Sequence, residues 1–528
     1  MNILHDERLD GVLPVPDRTA LLHKLSIRLP DLHVLHSEEA LKPYECDGLA
    51  AYRTTPLLVV LPETLEQVQV IMQTCNELKV PVVARGAGTG LSGGALPLEQ
   101  GVLLVMAKFN RILEVNPEGR FARVQPGVRN LAISEACAIH SLYYAPDPSS
   151  QIACSIGGNV AENAGGVHCL KYGLTVHNLI SVDIITVEGE FMTLGSDALD
   201  SPGFDLMALF TGSEGMLGIV VEVKVKLLPK PQVARVLMAS FDDVEKAGLA
   251  VGNIIAAGII PGGLEMMDNL AIRAAEDFIH AGYPVEAEAI LLCELDGVES
   301  DVDEESARVQ EVLEQSGATA VQTAKDEAER QRFWAGRKNA FPAVGRISPD
   351  YYCMDGTIPR RELPGVLKGI AELADRYELR VANVFHAGDG NMHPLILFDA
   401  DVPVAWKKPK PSVDKSWNSA SKLAVPLPEN MAWVGKKSTR CARNSMMTSW
   451  NYSMQSKPPL IRIACSTQVK TSRHCTAVLN LVPCIFTMAN YPSQNWSASD
   501  VCSQLPNRST DSPSPWRAAG QPDGSCPA

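Results

Sequence analysis

The chain has 528 residues, about three times the length of a typical domain, so two or three domains are expected. Hydrophobic residues make up 46% of the sequence and charged residues 20%, which excludes a wholly disordered or fibrous protein. The formal net charge of −14 argues against nucleic-acid binding, because a surface that reads phosphates should be basic.

Charge is distributed unevenly along the chain. Residues 404–528 carry 15 Lys and Arg against 5 Asp and Glu, whereas residues 1–403 carry 32 against 56. The last segment also holds six of the seven Trp but only three of the 39 Gly. We therefore treat residues 404–528 as an aberrant tail. Residues 1–403 are predicted to form an N-terminal segment (1–53), a first domain (54–231) and a second domain (232–403).

Three features bear on the compartment. The N-terminus has acidic residues where a secretory signal needs basic ones, and the cysteines of residues 1–403 form no Cys-x-x-Cys pair, which indicates reduced thiols. Residues 247–264 are uncharged, but their glycines and a Pro-Gly-Gly break favour a buried helix over a membrane-spanning one. We expect a cytoplasmic protein, attached to the inner membrane at most peripherally and through partners.

The first domain begins with a strand from Leu57, a helix that starts at Pro62-Glu63-Thr64 and a second strand. Further strands are then predicted, at 102–107, 111–116, 121–127 and within 182–194. A β-α-β unit followed by hairpins favours an α+β fold over a doubly wound sheet.

The pattern changes after Pro231. Two strands and two helices predict a ferredoxin-like arrangement of strand–helix units, with strands at 233–241 and 287–297 and helices from about Asp242 and at 299–317. A polar helix, a strand, a long helix and a closing segment follow, at 325–340, near 351–359, at 361–377 and at 379–399.

Residues 85–94, RGAGTGLSGG, follow a predicted strand. Glycines let the backbone approach a ligand and point its N–H groups at an anion such as a pyrophosphate. The lysine of a nucleotide-hydrolase loop is missing. Gly88, Gly90 and Gly93 match a dinucleotide-binding pattern, but Pro97 and a strand follow where that pattern requires a helix. A flexible turn without a ligand is the remaining interpretation.

Three more Gly- and Ser-rich segments follow, PDPSS at 146–150, SIGGNVAENAGG at 155–166 and GSEGMLGIV at 212–220. Four such loops between β segments can wrap a long, doubly phosphorylated ligand through backbone contacts. Together the four segments resemble the FAD-linked oxidases of the vanillyl-alcohol-oxidase type. Within them the similarity is to the catalytic subunits of bacterial glycolate oxidase, and it runs from about residue 15 to Pro403.

This resemblance implies a two-part FAD-binding domain at 54–231 and a ferredoxin-like α+β substrate domain at 232–403. It also implies non-covalent FAD, because Gly88 and Thr89 stand where some relatives attach flavin through a histidine. The implied FAD contacts are Arg85, Gly86, Gly88, Thr89, Gly90, Ser92, Gly93, Pro146, Asp147, Ser149, Gly157, Gly158, Asn163, Gly165, Gly166, Glu214, Gly218 and Ile219.

Two histidines, His386 and His393, flank the tight-turn sequence Gly-Asp-Gly-Asn. Imidazoles on either side of one turn can face a common cleft, where they share a metal or act on one hydroxyl. Taken alone, Arg337 on a polar helix predicts only a solvated arginine.

The resemblance gives these three residues catalytic roles. It implies that Arg337 binds a substrate carboxylate, and that His386 and His393 act at the substrate hydroxyl and supply two ligands for a divalent metal. The expected reaction is the FAD-dependent oxidation of a small 2-hydroxy acid, glycolate to glyoxylate. Electrons would pass to a second FAD-linked subunit and an iron–sulfur subunit. A D-lactate dehydrogenase of the same family is an alternative.

The tail lacks the Gly-Glu-His-Gly and Asn-Pro-Gly-Lys segments with which the similar family continues. With suitable codons, both can be spelled in one displaced reading frame, across 428–437 and then across 466–471. We therefore predict that a one-base deletion just after Pro403 produced the tail. The resemblance implies that the lost Glu-His pair provides a metal ligand and the general base, so a catalytically dead FAD-binding remnant is the other alternative.

Sequencing the encoding DNA around the codon for Pro403 tests the frameshift. We expect a displaced open reading frame that encodes both missing segments beyond that codon. An intact gene without such a displaced frame would contradict the hypothesis.

Overall fold

The structure is a computed structural model that describes residues 16–49, 52–198 and 203–399. The tail and its predicted frameshift lie outside the described residues. In chain order the α-helices are α1 (Arg18–Arg28), α2 (Glu38–Leu41), α3 (Leu65–Leu78), α4 (Asn130–Cys137), α5 (Ile156–Glu162), α6 (Cys169–Tyr172), α7 (Leu206–Phe210), α8 (Val244–Ala256), α9 (Asn269–Ile279), α10 (Glu299–Gln315), α11 (Glu327–Lys338), α12 (Ala340–Val344) and α13 (Leu363–Tyr377).

The strands are β1 (His33–Leu35), β2 (Leu58–Leu61), β3 (Val82–Arg85), β4 (Val102–Val105), β5 (Ile112–Asn116), β6 (Phe121–Val124), β7 (Leu142–Tyr143), β8 (Leu179–Ile185), β9 (Phe191–Gly195), β10 (Ile219–Lys226), β11 (Leu228–Pro229), β12 (Val233–Phe241), β13 (Gly263–Asp268), β14 (Ala289–Gly297), β15 (Ala320–Thr323), β16 (Asp350–Cys353), β17 (Gly356–Thr357), β18 (Arg380–Phe385), β19 (Asn391–Met392) and β20 (Pro394–Phe398).

The first sheet has the strand order β1-β2-β4-β3, in which β2, β4 and β3 are parallel. Helix α3 connects β2 to β3 and begins as predicted, because the Thr64 hydroxyl accepts a hydrogen bond from the N–H of Gln67. Its apolar face buries Val68, Ile71 and Cys75 in the core beside this sheet. Strand β3 then ends at Arg85 and releases the chain into the glycine-rich segment.

A second, antiparallel sheet has the order β5-β6-β10-β8-β9. Its central strand β10 pairs with β8 and β6, so alternate side chains such as Val223 and Val225 are fully buried. Ile156 and Val160 of α5 share this core, which fixes the short helix against the sheet.

The third sheet has the order β15-β12-β14-β13-β18-β20-β16, and its paired strands are antiparallel. Its first four strands, with α8 and α10 as crossovers, form the ferredoxin-like unit that was predicted. One face buries α8, α10 and α13, and the other buries α9, α11 and α12. The overall α+β class is therefore confirmed.

The uncharged stretch 247–264 is not one helix. Helix α8 ends at Ala256, Gly258 takes a left-handed conformation with φ of 77°, and β13 begins at Gly263. The helical part buries Ala247, Val251 and Ile254, which confirms a buried helix. Across the described ranges, no helix is long and apolar enough to cross a membrane.

Candidate active site

The glycine-rich segment packs closely on α5. A Cβ atom at Gly86 would collide with Oγ of Ser155, the residue that caps α5 by accepting a hydrogen bond from the N–H of Gly158. Further along, a Cβ at Gly94 would lie 2.6 Å from Oε1 of Glu162, whose Oε2 accepts a hydrogen bond from the Ser92 hydroxyl at 2.8 Å. A side chain at Gly86 would push the loop away from the start of α5, and one at Gly94 would displace the Glu162 carboxylate from Ser92.

Residues 44–48 also contact the glycine-rich segment. Nη1 of Arg85 donates a hydrogen bond to the carbonyl oxygen of Cys46 at 2.7 Å. A Cβ at Gly48 would lie 2.8 Å from the carbonyl oxygens of Thr89 and Gly90. Gly88 has φ of 71° and passes over the Arg85 guanidinium, so in this structure Arg85 holds the loop in place.

The segment that begins at Gly212 joins the C-terminal end of α5. The N–H of Gly212 donates to the carbonyl of Val160 at 2.9 Å, and that of Glu214 donates to the carbonyl of Ala161 at 2.8 Å. Asn163, which ends α5 with φ of 50°, lies against Gly212. At the other end of the segment, Gly218 leads into the buried Ile219 at the start of β10.

The segment 146–150 is also held next to α5. Nδ2 of Asn130 donates both to the carbonyl of Pro146 at 3.0 Å and to Oδ1 of Asn159 at 2.9 Å. Gly166 approaches the backbone of Asp147 so closely that a Cβ would collide with it. Gly157 and Gly165 similarly pack against Pro126 and Cys169, whereas Ser149 is exposed. The structure thus brings all four predicted segments together around α5.

The four segments 85–94, 146–150, 155–166 and 212–220 form a cradle around α5, and this cradle fits an anionic dinucleotide. Its glycine segment is largely half-buried, so backbone N–H groups can be reached by a ligand. The buried Oγ of Ser213 has no hydrogen-bond partner within the described part of the chain. Because buried hydroxyls normally form hydrogen bonds, the unpaired Ser213 hydroxyl favours a polar ligand at the cradle.

Arg337 and His386 meet at a buried carboxylate that the sequence did not single out. Nη2 of Arg337 is 2.7 Å from Oε2 of Glu265, and both side chains are 1% exposed. Nδ1 of His386 is 2.8 Å from Oε1 of the same carboxylate. The expectation of a solvated arginine from sequence alone is wrong, because α11 turns Arg337 into the core.

The two histidines lie side by side, as predicted. Their ring centroids are 5.2 Å apart and the ring planes are nearly perpendicular. His386 directly follows β18 and His393 directly precedes β20, so the turn that carries Asp389 and Gly390 holds both rings. Nδ1 of His393 lies 3.6 Å from Oδ1 of Asp355. The three predicted catalytic residues therefore form one cluster with Glu265.

Glu265 determines the state of His386. Burial lowers the pKa of His386, but the neighbouring Glu265 carboxylate outweighs it, so the pKa is raised above its ordinary 6.5. A carboxylate accepts hydrogen bonds, so Nδ1 carries the proton that faces Glu265. In neutral imidazole the other nitrogen, Nε2, is then free to accept a proton or bind a metal.

The predicted metal site has two imidazoles and no third ligand in the described residues, where no group of three or more His, Cys, Asp or Glu side chains is placed to hold an ion. Two histidines suit a divalent transition metal. A complete site would need a further ligand, which the resemblance assigns to the Glu-His pair missing from the tail.

Glu265 and a second buried acid, Glu294, were missed from the sequence. Each lies between two apolar neighbours on its strand, as Leu264-Glu265-Met266 and Cys293-Glu294-Leu295. An acid on a buried strand is rare unless it is paired, so the apolar run around each was the available signal.

Replacing Glu265 tests the ion cluster. We expect Glu265→Gln to lose about 3 kcal/mol of unfolding free energy, because it leaves the buried Arg337 without its anion. Denaturant titration measures this loss. Glu286→Gln, the same change at an exposed glutamate, is the control and should leave stability within about 0.5 kcal/mol of the parent. Equal stability of both variants would contradict the role of Glu265 as the anion that pairs with the buried Arg337.

Comparison with known proteins identifies the family of the chain. The family model for the C-terminal domain of FAD-linked oxidases matches residues 230–425, and the FAD binding domain model matches residues 56–195. The glycolate oxidase subunit GlcD of Escherichia coli is 77% identical over 403 residues, which cover 76% of this chain and 81% of that protein.

More distant relatives extend the comparison. GlcD of Bacillus subtilis is 38% identical and covers 67% of this chain and 76% of that protein. A D-lactate dehydrogenase of Anaerostipes hadrus is 31% identical, with 68% of this chain and 78% of that protein covered.

Solved structures share the fold at low identity. Alkyldihydroxyacetonephosphate synthase has a TM-score of 0.61 at 18% identity and covers 75% of this chain and 80% of that one. A 4-ethylphenol oxidase from Gulosibacter chungangensis has a TM-score of 0.60 at 18% identity, covering 73% and 84%. The fold is of the vanillyl-alcohol-oxidase type, and FAD as cofactor is confirmed. The chain therefore belongs to the FAD-linked oxidases and, among them, to the family of glycolate oxidase GlcD subunits.

Proposed function

We propose that this chain catalyses the FAD-dependent oxidation of glycolate to glyoxylate. The observation that carries the proposal is the state of Arg337. The side chain is fully buried, yet within the described residues Nε, Nη1 and Nη2 have no well-oriented hydrogen-bond partner, despite the ion pair with Glu265. Unsatisfied donors on a buried guanidinium favour an anionic ligand at this point.

A small carboxylate suits that requirement. The planar guanidinium binds carboxylates through two parallel hydrogen bonds, which fixes both position and orientation. Glu265 occupies one side of Arg337 and keeps its charge balanced when substrate is absent. A 2-hydroxy acid bound through its carboxylate places its hydroxyl within the same cluster, near His386 and His393.

His386 is the residue suited to accept the proton of the substrate hydroxyl, and His393 lies beside it. Glu265 holds the Nδ1 proton of His386, so Nε2 is the nitrogen that can accept a proton or polarise the hydroxyl. FAD, when bound, accepts the hydride that leaves C2 of the substrate. Loss of one proton and one hydride converts the 2-hydroxy acid into a 2-oxo acid. A divalent metal held by His386 and His393 would lower the pKa of the hydroxyl.

Electron transfer needs partners. The relatives with high identity are named as subunits of glycolate oxidase. We propose that a second FAD-linked subunit and an iron–sulfur subunit accept the electrons, because the described cysteines are single residues without a cluster-binding run. This arrangement would bring the chain to the membrane surface only through those partners.

Anaerobic reduction tests the reaction. We expect glycolate to bleach the flavin absorption of the purified holoprotein, because hydride transfer from C2 reduces the flavin. D-Lactate is the comparison substrate, since a D-lactate dehydrogenase is among the relatives. Faster bleaching by D-lactate than by glycolate would identify D-lactate as the better substrate and contradict the proposal for glycolate. A yellow protein that no 2-hydroxy acid bleaches would indicate the catalytically dead remnant.

Arg337→Lys tests carboxylate binding. We expect KM for glycolate to rise about 10- to 100-fold, because lysine cannot make the paired hydrogen bonds of the guanidinium. Steady-state kinetics with an artificial electron acceptor measure the change. Arg332→Lys on the same helix, where the side chain is 49% exposed, is the matched control and should leave KM unchanged. An unchanged KM in Arg337→Lys would refute the assigned role.

A further inference from the structure

A second chain of buried charges connects the segment 146–150 with helix α11. His168, which lies between α5 and α6, is at its centre. Its Nδ1 is 3.0 Å from Oδ2 of Asp147, and its Nε2 is 3.1 Å from Oε1 of Glu294. The backbone N–H of His168 also donates to Oδ1 of Asp147 at 3.2 Å. One imidazole therefore links two carboxylates that come from distant parts of the sequence.

Glu294 continues the connection to α11. Its Oε2 accepts a hydrogen bond from Nη1 of Arg330 at 2.7 Å and another from Nε1 of Trp334. Arg330 and Trp334 are four residues apart and lie on one face of the helix. Arg337 follows three residues later on the same face and reaches Glu265. The carboxylate of Glu294 thus fixes the helix that carries the proposed substrate-binding arginine.

Neighbouring contacts strengthen the link. Nζ of Lys171 is 2.6 Å from Oδ1 of Asp296, and the hydroxyl of Tyr172 donates to Oδ2 of the same residue at 2.5 Å. Nζ of Lys338, at the end of α11, lies 3.9 Å from Oδ2 of Asp147. Charged groups therefore hold α6 to β14 through Asp296, and the end of α11 to the segment 146–150 through Asp147.

The bonding pattern around His168 favours a charged imidazole. A neutral histidine donates from one nitrogen only, whereas both ring nitrogens of His168 face carboxylates, which accept hydrogen bonds. Burial lowers the pKa of His168, but Asp147 and Glu294 outweigh it and raise the pKa well above 6.5. Burial raises the pKa of each of these acids, but His168, together with Lys338 at Asp147 and Arg330 at Glu294, outweighs it, so both pKa values are lowered.

We propose that His168 is a positioning residue that couples the segment 146–150 to helix α11 and so fixes Arg337 relative to the flavin. The inference rests on the proposed function, in which Arg337 holds the substrate carboxylate. Asp147 belongs to a segment of the cofactor cradle, and Glu294 holds α11. Hydride transfer depends steeply on distance, and a displacement of about 1 Å can cost roughly 100-fold in rate.

The variant His168→Gln tests the coupling through two readouts. Glutamine is neutral and cannot supply two charged donors to the two acids. We expect faster amide hydrogen exchange in the peptide Glu327–Lys338. We also expect the rate constant of anaerobic flavin reduction at saturating glycolate to fall about tenfold or more, with FAD still bound. His140→Gln makes the same change at an exposed histidine and should alter neither readout.

A double-mutant cycle distinguishes positioning from general loss of structure. If His168 and Glu294 act through one path, the double variant His168→Gln/Glu294→Gln reduces its flavin no more slowly than the slower single variant. Multiplicative effects of the two substitutions would overturn the shared path. If His168→Gln does not fold, Glu294→Gln alone provides both readouts, because it removes the acid between His168 and α11.

Each result is decisive. Unchanged exchange in α11 overturns the coupling, and faster exchange with an unchanged reduction rate constant overturns the positioning role. If neither glycolate nor D-lactate reduces the parent protein, the proposed function fails instead. Exchange in α11 still decides the coupling in that case, because it does not depend on turnover.

Discussion

The candidate site depends on how closely the backbone can approach helix α5. Gly86 lies against the cap of this helix, and Gly212 bonds to its last turn. Gly166, just beyond the helix, lies against Asp147. A side chain at Gly86 or Gly166 would collide with an atom that is itself held in place. Four loops that are far apart in sequence therefore form one cradle, whose half-buried N–H groups suit a dinucleotide that carries two phosphates.

The second constraint is the burial of acids on the third sheet. Glu265 on β13 and Glu294 on β14 are 1% and 3% exposed, so each needs a cationic partner to remain charged. Arg337 satisfies the first, while Arg330 and His168 satisfy the second. These partners come from α11 and from the segment between α5 and α6. Pairing Glu294 with His168 thereby links the third sheet with the segments around α5 that form the proposed cofactor cradle.

Local features of this protein could be read from its sequence. The glycine segments, the helix start at Thr64 and the turn between His386 and His393 are all short-range signals, and the structure places each as expected. The acidic partners could not be identified this way. Glu265 meets His386 across 121 positions and His168 meets Glu294 across 126, and these pairings depend on sheet order, which no local spacing specifies.

The register of β13 and β14 explains why helix α11 supplies partners to both Glu265 and Glu294. In the antiparallel pair of β13 and β14, Gly263 is opposite Glu294 and Glu265 is opposite Leu292, so both acids project from the same face. A Cβ at Gly263 would lie 2.7 Å from the Val167 side chain and 3.2 Å from the ring of Trp334, so a glycine here lets Val167 and the indole that bonds to Glu294 pack on the strand. With Trp334 seated there, the next turn of α11 brings Arg337 to Glu265. Sheet register and the seat of Trp334 therefore act together with the ion pair to Glu265 in positioning the proposed substrate-binding arginine.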